Sequence, residues 1–258
     1  MYELSKWLQQ HDIYLYLNRI ELNQFMYDII GINLINRIVI NMNQKLLFKK
    51  VIEYFKTTMP IVETELQYKS PYQLAVAVIL SAQCTDKRVN IITPGFFKKF
   101  PTTESLALAT TDEIFQLIKS CSYPNNKSKN LLGMARMLIN DYQGILPDDV
   151  DEMQKIPGIG RKTANVLASV LYKKPVIAVD THVFRVSKRI GLTPNAKNPV
   201  ACEIILTRNI PAHLRPDAHH WLILHGRYIC IARKPKCNEC GLTSLCAYFK
   251  TLLNAKKE

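Results

Sequence analysis

The hydrophobic and polar positions along the chain predict helices almost throughout. Ser70 followed by Pro71 is typical of a helix start, and the apolar run Leu74–Leu80 predicts a helix that is buried on all sides. Thr110–Glu113 has the capping-box pattern and begins a second helix that extends through Ile118. A third, amphipathic helix is predicted where apolar residues recur at spacings of three and four: Leu131, Leu132, Ala135, Leu138, Ile139 and Tyr142.

Further helices are predicted in the second half of the chain, over residues 161–172, 182–190, 199–208 and 217–229. The run Val176–Val179 resembles a strand, but it is too short to build a sheet. Residues 1–41 keep neither a helical nor a strand period. We expect them to be an N-terminal extension that is poorly ordered or that results from a misassigned start codon. The pattern therefore predicts an all-α fold.

The charge balance makes nucleic acid the first candidate partner. The 258 residues contain 34 Lys and Arg against 21 Asp and Glu, a net charge of +13. Residues 1–41 are slightly acidic, so the excess belongs to the rest of the chain, where it suits a polyanion. A basic surface that only aids solubility is the alternative. No apolar run approaches the roughly 18 residues of a membrane span, and the N-terminus lacks the apolar core of a secretory signal. We therefore expect a cytoplasmic protein without a membrane partner.

The segment Ile156–Ala164 is the most indicative of function. Gly158 and Gly160 predict a tight turn in which positive φ is permitted and the backbone is left uncovered. The helix that follows begins near Arg161, and its first N–H groups have no acceptor within the helix. A helix N-terminus of this kind binds phosphate. The segment, with Ile159 at the tip, resembles the hairpin of helix–hairpin–helix DNA-binding proteins; a simple helix linker is the alternative.

Lys162 and Asp180 are candidate catalytic residues. The helix dipole and neighbouring cations favour a neutral Lys162 amine, which could attack C1′ of a sugar and form a Schiff base. A phosphate-binding lysine is the alternative. Asp180 precedes a predicted helix and could serve only as its N-cap. An ionised carboxylate at that place could also stabilise positive charge as a base leaves C1′.

Four of the seven cysteines lie close together near the C-terminus: Cys230, Cys237, Cys240 and Cys246. This set suits an iron–sulfur cluster or a tetrahedral zinc ion, and the spacing alone does not choose between them. Arg233, Lys234 and Lys236 lie between the first two cysteines. They could dock on phosphates or merely offset the charge of the metal centre. The other three cysteines are predicted to be ordinary core residues: Cys84, Cys121 and Cys202.

Together these features resemble the endonuclease III family of DNA glycosylase/AP lyases. The resemblance covers about residues 42–246. It rests on the four cysteines and on segments that match in order and separation: Ser81–Asp86, Ile156–Lys162, Val179–His182 and His220–Arg227.

The resemblance implies two helical domains with a DNA-binding cleft between them. A six-helix domain would occupy residues 64–174 and include the helix–hairpin–helix. Residues 42–63 and 175–258 would form the second domain, which would hold a 4Fe-4S cluster on the four cysteines in a mainly structural role. Lys162 and Asp180 would then face each other across the cleft.

The resemblance also implies an activity: a bifunctional enzyme of base excision repair that acts as a monomer on double-stranded DNA at the nucleoid. It would remove oxidised pyrimidines and cleave 3′ to the abasic site by β-elimination. Gln83 matches the residue that fills the gap left by the flipped nucleotide. Tyr123 stands where the family often has an aliphatic wedge, and it could stack on a base instead.

Two other functions are weighed against this one. A mismatch adenine glycosylase shares the fold, the aspartate and the cysteine spacing. Such enzymes usually lack the lysine and carry a further C-terminal domain, whereas here Lys162 is present and 12 residues follow Cys246. A non-catalytic, metal-containing DNA-binding protein would be expected to have lost Lys162 or Asp180.

Overall fold

A computed structural model describes residues 40–255 of the chain. The chain divides into two units, residues 1–50 and residues 51–258. In the first unit, the described residues 40–50 are helical. The predicted N-terminal extension lies outside the described residues, apart from its last two positions. No β-strand occurs within residues 40–255, so the all-α prediction is confirmed.

We number the α-helices of the described residues in chain order. They are α1 (40–58), α2 (Pro71–Ser81), α3 (Asp86–Lys99), α4 (Thr103–Ala107), α5 (Thr111–Ile118), α6 (Pro124–Tyr142), α7 (Val150–Lys155), α8 (Arg161–Tyr172), α9 (Thr181–Ile190), α10 (Pro199–Asn209), α11 (Arg215–Tyr228) and α12 (Ala247–Asn254). Short 3-10 helices occur at Ala212–Leu214 and Cys237–Glu239. Among these elements, none is long and apolar enough to cross a membrane.

The predicted helix starts are confirmed in atomic detail. At α2, the Ser70 hydroxyl accepts a hydrogen bond from the Gln73 backbone N–H, and residues 74–80 are all buried. At α5, the capping box is complete because Thr110 and Glu113 each bind the other's backbone N–H. The four helices predicted in the second half of the chain are α8–α11, and their ends differ from the prediction by at most two residues.

The pattern did not reveal five of the helices: α1, α3, α4, α7 and α12. Pro94 lies inside α3, and an interior proline argues against a helix when only the sequence is read. Helices α4 and α7 have five and six residues, too few for a helical period to become visible. Their starts are nevertheless fixed by side-chain caps, from Thr102 and Asp149 respectively.

The strand-like run Val176–Val179 is a buried connection between α8 and α9. Its backbone carbonyls are satisfied by side chains instead of by a neighbouring strand. Asn165 of α8 donates to the Ile177 carbonyl at 3.3 Å, and His219 of α11 donates to the Ala178 carbonyl at 2.7 Å. The run is therefore held from both sides, and Asp180 follows it directly.

One hydrophobic cluster gathers the apolar faces of α2–α8, from Leu66 to Ala178, around the fully buried α2. Helices α9 and α11 approach each other closely at Gly226, where an added Cβ would lie 2.9 Å from the His182 Cβ. On α11, Trp221 stacks on Phe55 and donates to the Met59 carbonyl at 2.8 Å. The division into domains at 64–174 and 42–63 plus 175–258 stays a prediction.

Candidate active site

The two glycines of the hairpin between α7 and α8 have different roles. Gly158 has φ +82°, and a Cβ there would lie 2.9 Å from the Asn130 Cβ. Both the backbone conformation and the close contact therefore require glycine at this position. Gly160 has an extended backbone with φ −84°, and a Cβ there would meet nothing within 4 Å. The expectation of positive φ therefore holds for Gly158 alone. Gly160 instead leaves open space beside the backbone.

The N-terminus of α8 has no side-chain cap. Gly160 is its N-cap residue, so the first N–H groups of α8 have no partner from a capping side chain. Ile159 is 2% exposed and belongs to the core. Only its backbone could therefore contact a ligand at the tip of the hairpin.

Arg161, the first residue of α8, forms a bidentate ion pair with Glu203 of α10. Its Nη2 and Nε lie 2.7 Å and 3.1 Å from the two carboxylate oxygens. The hydrogen bond and charge of Glu203 raise the pKa of Arg161, so the guanidinium stays charged. The cationic neighbour that the sequence predicts for Lys162 is thus balanced by an acidic partner.

Asp180 is the N-cap of α9, as the sequence predicts. Its Oδ1 accepts hydrogen bonds from the backbone N–H groups of His182 and Val183, at 2.9 Å and 2.8 Å. Its Oδ2 lies 2.9 Å from Nδ1 of His182. The carboxylate is therefore fixed in orientation by three nitrogen atoms of the helix that it caps. His182 as its side-chain partner was not predicted, although it belongs to the matching segment Val179–His182.

The charge of Lys162 acts on the carboxylate of Asp180. Burial alone would raise the pKa of Asp180, but hydrogen bonds from His182 and Val183 and the charges of His182 and Lys162 hold it well below its usual range. The carboxylate is thus ionised at neutral pH. Lys162 is exposed at the second position of α8, so a solvent-accessible amine lies within electrostatic reach of a carboxylate of fixed orientation.

His219 adjoins the same site and was missed by the sequence reasoning. It is 2% exposed, and burial, with the charge of His220, lowers its pKa to about 3 despite the opposing effects of Ala178 and Asp180. The charge of Lys162 lowers it further. His219 is therefore neutral at physiological pH. It donates to the Ala178 carbonyl and so fixes the backbone two residues before Asp180.

Gln83 and Tyr123 lie in two segments of the chain that are in contact. Both have left-handed backbones, with φ +52° and +55°, and both side chains are exposed. The Ser122 hydroxyl joins the two segments because it donates to the Gln83 carbonyl at 2.7 Å. Non-glycine residues in this conformation are uncommon, and they cluster where a site needs a particular geometry.

The four clustered cysteines are brought together at the end of α11 and in the loop after it. Burial raises the pKa of Cys240, and the nearby thiols of Cys246, Cys230 and Cys237 raise it further. Within residues 40–255, no three His, Cys, Asp or Glu side chains are close enough together to hold a single metal ion. The four thiols are nevertheless half-buried, and three of them are near enough to act on the pKa of Cys240. Four thiolates are the ligands of an iron–sulfur cluster.

Two arginines of α9 fasten this cysteine loop, and the sequence reasoning did not identify them. Arg185 donates to the carbonyls of Cys230 and Gly226, at 3.2 Å and 2.8 Å. Arg189 donates to the carbonyls of Ile231 and Ala232, at 2.8 Å and 2.7 Å. The helix that Asp180 caps is therefore bonded along its side to the loop that carries the cysteines. A spacing of four residues, which puts both arginines on one helical face, was the available signal.

The basic residues of the cysteine loop are on the surface. Arg233, Lys234 and Lys236 are exposed, and Lys236 forms an ion pair with Glu239 at 3.7 Å. Of the three cysteines predicted in the core, Cys121 and Cys202 are buried, whereas Cys84 is half-buried.

A cavity of about 920 Å³ lies away from this chemistry. Its lining includes Lys69, Lys98, Lys173 and His220 but neither Lys162 nor Asp180. The cavity is therefore separate from Lys162 and Asp180.

Comparisons with known proteins agree with these observations. Residues 76–212 match the family described as HhH-GPD superfamily base excision DNA repair protein. The chain is 44% identical to endonuclease III of Rickettsia felis over 213 residues, which are 83% of this chain and 100% of that protein. It is 46% identical to endonuclease III of Bacillus subtilis over 187 residues, 72% of this chain and 85% of the relative. A solved structure of a trapped endonuclease III–DNA covalent intermediate matches with a TM-score of 0.78 and 39% identity, covering 81% of this chain and 98% of the other.

Proposed function

The chain belongs to the endonuclease III family of HhH-GPD base excision DNA repair proteins, and on this premise we propose that it is a bifunctional DNA glycosylase and AP lyase. The observation that carries the proposal is the electrostatic interaction between Lys162 and Asp180. The lysine is exposed, the carboxylate is ionised and fixed, and the charge of the lysine acts on the pKa of the carboxylate. A similar protein forms a covalent intermediate with DNA, which is the outcome expected of such an amine.

In this mechanism Lys162 is the nucleophile. Its neutral amine attacks C1′ of the damaged nucleoside, and the bond between C1′ and the base breaks as the base leaves with the electron pair and takes up a proton. The fixed negative charge of Asp180 stabilises the positive charge that develops at C1′. The amine then loses protons and forms the C=N bond of a Schiff base, while the C1′–O4′ bond breaks and O4′ leaves with the electron pair and takes up a proton, which opens the sugar. Loss of a C2′ proton and of the 3′ oxygen breaks the strand by β-elimination.

Substrate recognition is assigned to three surfaces. The open backbone at Gly158 and Gly160, with the uncapped N-terminus of α8, would receive a DNA phosphate. Gln83 and Tyr123 would enter the duplex where the damaged nucleotide has flipped out, at an unstacking cost of a few kcal/mol. The side chains of the basic loop would contact the backbone further along: Arg233, Lys234 and Lys236. Arg161 is a weaker candidate than the sequence suggests, because Glu203 occupies its guanidinium.

The finer assignments belong to the same proposal. The substrate would be double-stranded DNA with an oxidised pyrimidine or an abasic site, and the enzyme would act as a monomer in the cytoplasm at the nucleoid. The four cysteines would hold a 4Fe-4S cluster: Cys230, Cys237, Cys240 and Cys246. When bound, the cluster would supply a rigid anchor for the loop, which Arg185 and Arg189 already tie to α9.

Strand cleavage with product analysis tests the proposal. Wild-type protein is incubated with duplexes that carry one thymine glycol or one abasic site. The account predicts base release and a 3′ unsaturated aldehyde end. Lys162→Ala should lose strand cleavage while its affinity for DNA changes little. Lys197→Ala, which removes an exposed lysine from a loop outside the hairpin, is the matched control and should cleave normally.

Other results would favour the alternatives. Release of a base without strand cleavage by the wild-type protein would indicate a monofunctional glycosylase, such as one for mismatched adenine. Tight DNA binding without any base release would indicate a non-catalytic DNA-binding protein.

A further inference from the structure

We propose that Ser122 and Lys127 are positioning residues that hold Gln83 and Tyr123 in the geometry needed to enter the duplex. This inference rests on the proposed function, in which Gln83 and Tyr123 contact the DNA at the flipped nucleotide. We call Ser122 and Lys127 the carbonyl clamp, because both side chains bind backbone carbonyls at the end of α2.

Lys127 is a buried lysine without a surface role. It is 5% exposed, and its Nζ donates to the carbonyls of Leu80 and Ala82, both at 2.7 Å. A lysine is seldom buried this fully unless its ammonium is paired. Here the partners lie at the end of α2, where carbonyls lack N–H partners within the helix and where the helix dipole favours a cation. Its position one turn into α6 therefore ties the start of α6 to the end of α2.

Ser122 completes the contact on the other side of Tyr123. Its hydroxyl donates to the Gln83 carbonyl at 2.7 Å. Three carbonyls between residues 80 and 83 are thus held by two side chains of the segment 122–127. Since every bond ends on a backbone atom, the clamp fixes the position of Gln83 and not the chemistry of its side chain.

The backbone conformations explain why a clamp is needed. Each non-glycine residue with a left-handed backbone costs roughly 1–2 kcal/mol, and such strain persists only where the surroundings enforce it. Gln143 and Lys173 also have positive φ, but each is the C-cap of a helix and makes the backbone bond that usually accompanies that conformation. Tyr123 is instead an N-cap residue, where an extended backbone is usual. Ser122 and Lys127 lie on either side of Tyr123 in the chain, and their side-chain bonds to the end of α2 fix the segment that contains it.

Loosening the clamp should slow the step that needs Gln83 and Tyr123 in the duplex. We expect Lys127→Met to lower single-turnover excision of thymine glycol about 10- to 100-fold. Ser122→Ala should lower it less, in the range of about 3- to 10-fold. Affinity for undamaged duplex should stay within about twofold, because the hairpin and the basic loop are untouched. Ser122→Thr keeps the hydroxyl and should retain the wild-type rate.

The experiment combines excision rates with the fluorescence of 2-aminopurine placed opposite the lesion, which rises when that base is unstacked. Lys129→Met is the matched control, because Lys129 is an exposed lysine on the same helix and its loss removes the same charge. The decisive comparison is a double-mutant cycle. In a Gln83→Ala, Tyr123→Ala background, Lys127→Met should cause no further loss, since the clamp acts through those two residues.

Three results would overturn the proposal. The first is an excision rate and a 2-aminopurine fluorescence equal to those of wild type in both Lys127→Met and Ser122→Ala. The second is a case in which Lys127→Met lowers the excision rate by the same factor in the Gln83→Ala, Tyr123→Ala background as in the wild-type background. If Lys127→Met does not fold, Ser122→Ala alone tests the proposal. The third contradicting result would then be wild-type excision and wild-type fluorescence in Ser122→Ala. Failure of the wild-type protein to cleave would contradict the proposed function instead; the clamp is then judged by fluorescence, where an unchanged signal in both variants overturns it.

Discussion

Two substitutions of Asp180 separate its role as a helix cap from its role beside the lysine. Alanine removes the acceptor for the N–H groups of His182 and Val183. Asparagine keeps an oxygen at that place and removes the charge. If the carboxylate were only a cap, asparagine would be nearly harmless. If it also stabilises positive charge at C1′, both variants should be strongly impaired in catalysis.

The structure sets the expected magnitudes. Loss of a capping side chain costs about 1 kcal/mol, and up to about 2 kcal/mol where the cap is strong. Asp180 is at the upper end because its side chain is 14% exposed and its Oδ1 accepts two backbone bonds. We therefore expect Asp180→Ala to lose about 2 kcal/mol of unfolding free energy, or roughly 4–8 °C in Tm. Asp180→Asn should lose about half of that. Both should slow cleavage at an abasic site by about 100-fold or more.

The assay pairs thermal and urea unfolding with single-turnover cleavage of an abasic-site duplex. The pKa of Asp180 in the folded protein is below its unfolded value. The stability advantage of wild type over Asp180→Asn should therefore be complete above the unfolded pKa of about 3.9, and it should be lost as the pH falls towards the folded-state pKa. Cleavage by Asp180→Asn at the wild-type rate would refute the catalytic role and leave Asp180 as a cap.

The remaining predictions concern the cysteines, the charge and the hairpin. Purified protein should be brown and contain iron; colourless protein with stoichiometric zinc would contradict the 4Fe-4S assignment. DNA affinity should fall steeply as the salt concentration is raised, because counterions are released on binding. An affinity that does not change with salt, measured by fluorescence anisotropy, would mean that the excess positive charge does not contribute to DNA binding. Gly158→Ala should destabilise the protein by about 1–2 kcal/mol in urea, because of its positive φ and the nearby Asn130. Gly160→Ala should instead unfold normally and bind DNA more weakly; equal stabilities for the two glycine variants would contradict this account of the hairpin.

Periodicity and capping residues predicted much of the helical framework. Ser70 and Thr110 fixed helix starts, and the helices α8–α11 were visible because their apolar positions repeat over several turns. Helix α3 was hidden by Pro94, and α4 and α7 are too short for a period to emerge. Their formation depends on burial against the core that contains Leu106 and Met153, and such tertiary contacts leave no local signal.

The candidate site was only partly visible in the sequence. The nearness of Lys162 to Asp180 depends on the buried connection that His219 and Asn165 hold in place, and side-chain bonds to distant carbonyls have no sequence signature. Lys127 illustrates the same limit, because a lysine on an amphipathic helix is expected at the surface. Arg161 and Glu203 form an ion pair although they are 42 residues apart in the sequence. The motif alone indicated that Arg161 contacts DNA, whereas the ion pair makes it a weaker candidate for that role.

Borohydride trapping on a duplex with one abasic site tests the central claim most directly. Reduction converts a lysine Schiff base into a stable covalent bond between protein and DNA. Wild-type protein should give an adduct, and peptide mapping should place it on Lys162; Lys162→Ala should give none. An equal adduct from Lys162→Ala, or no adduct from wild-type protein that binds DNA and contains iron, would contradict the account.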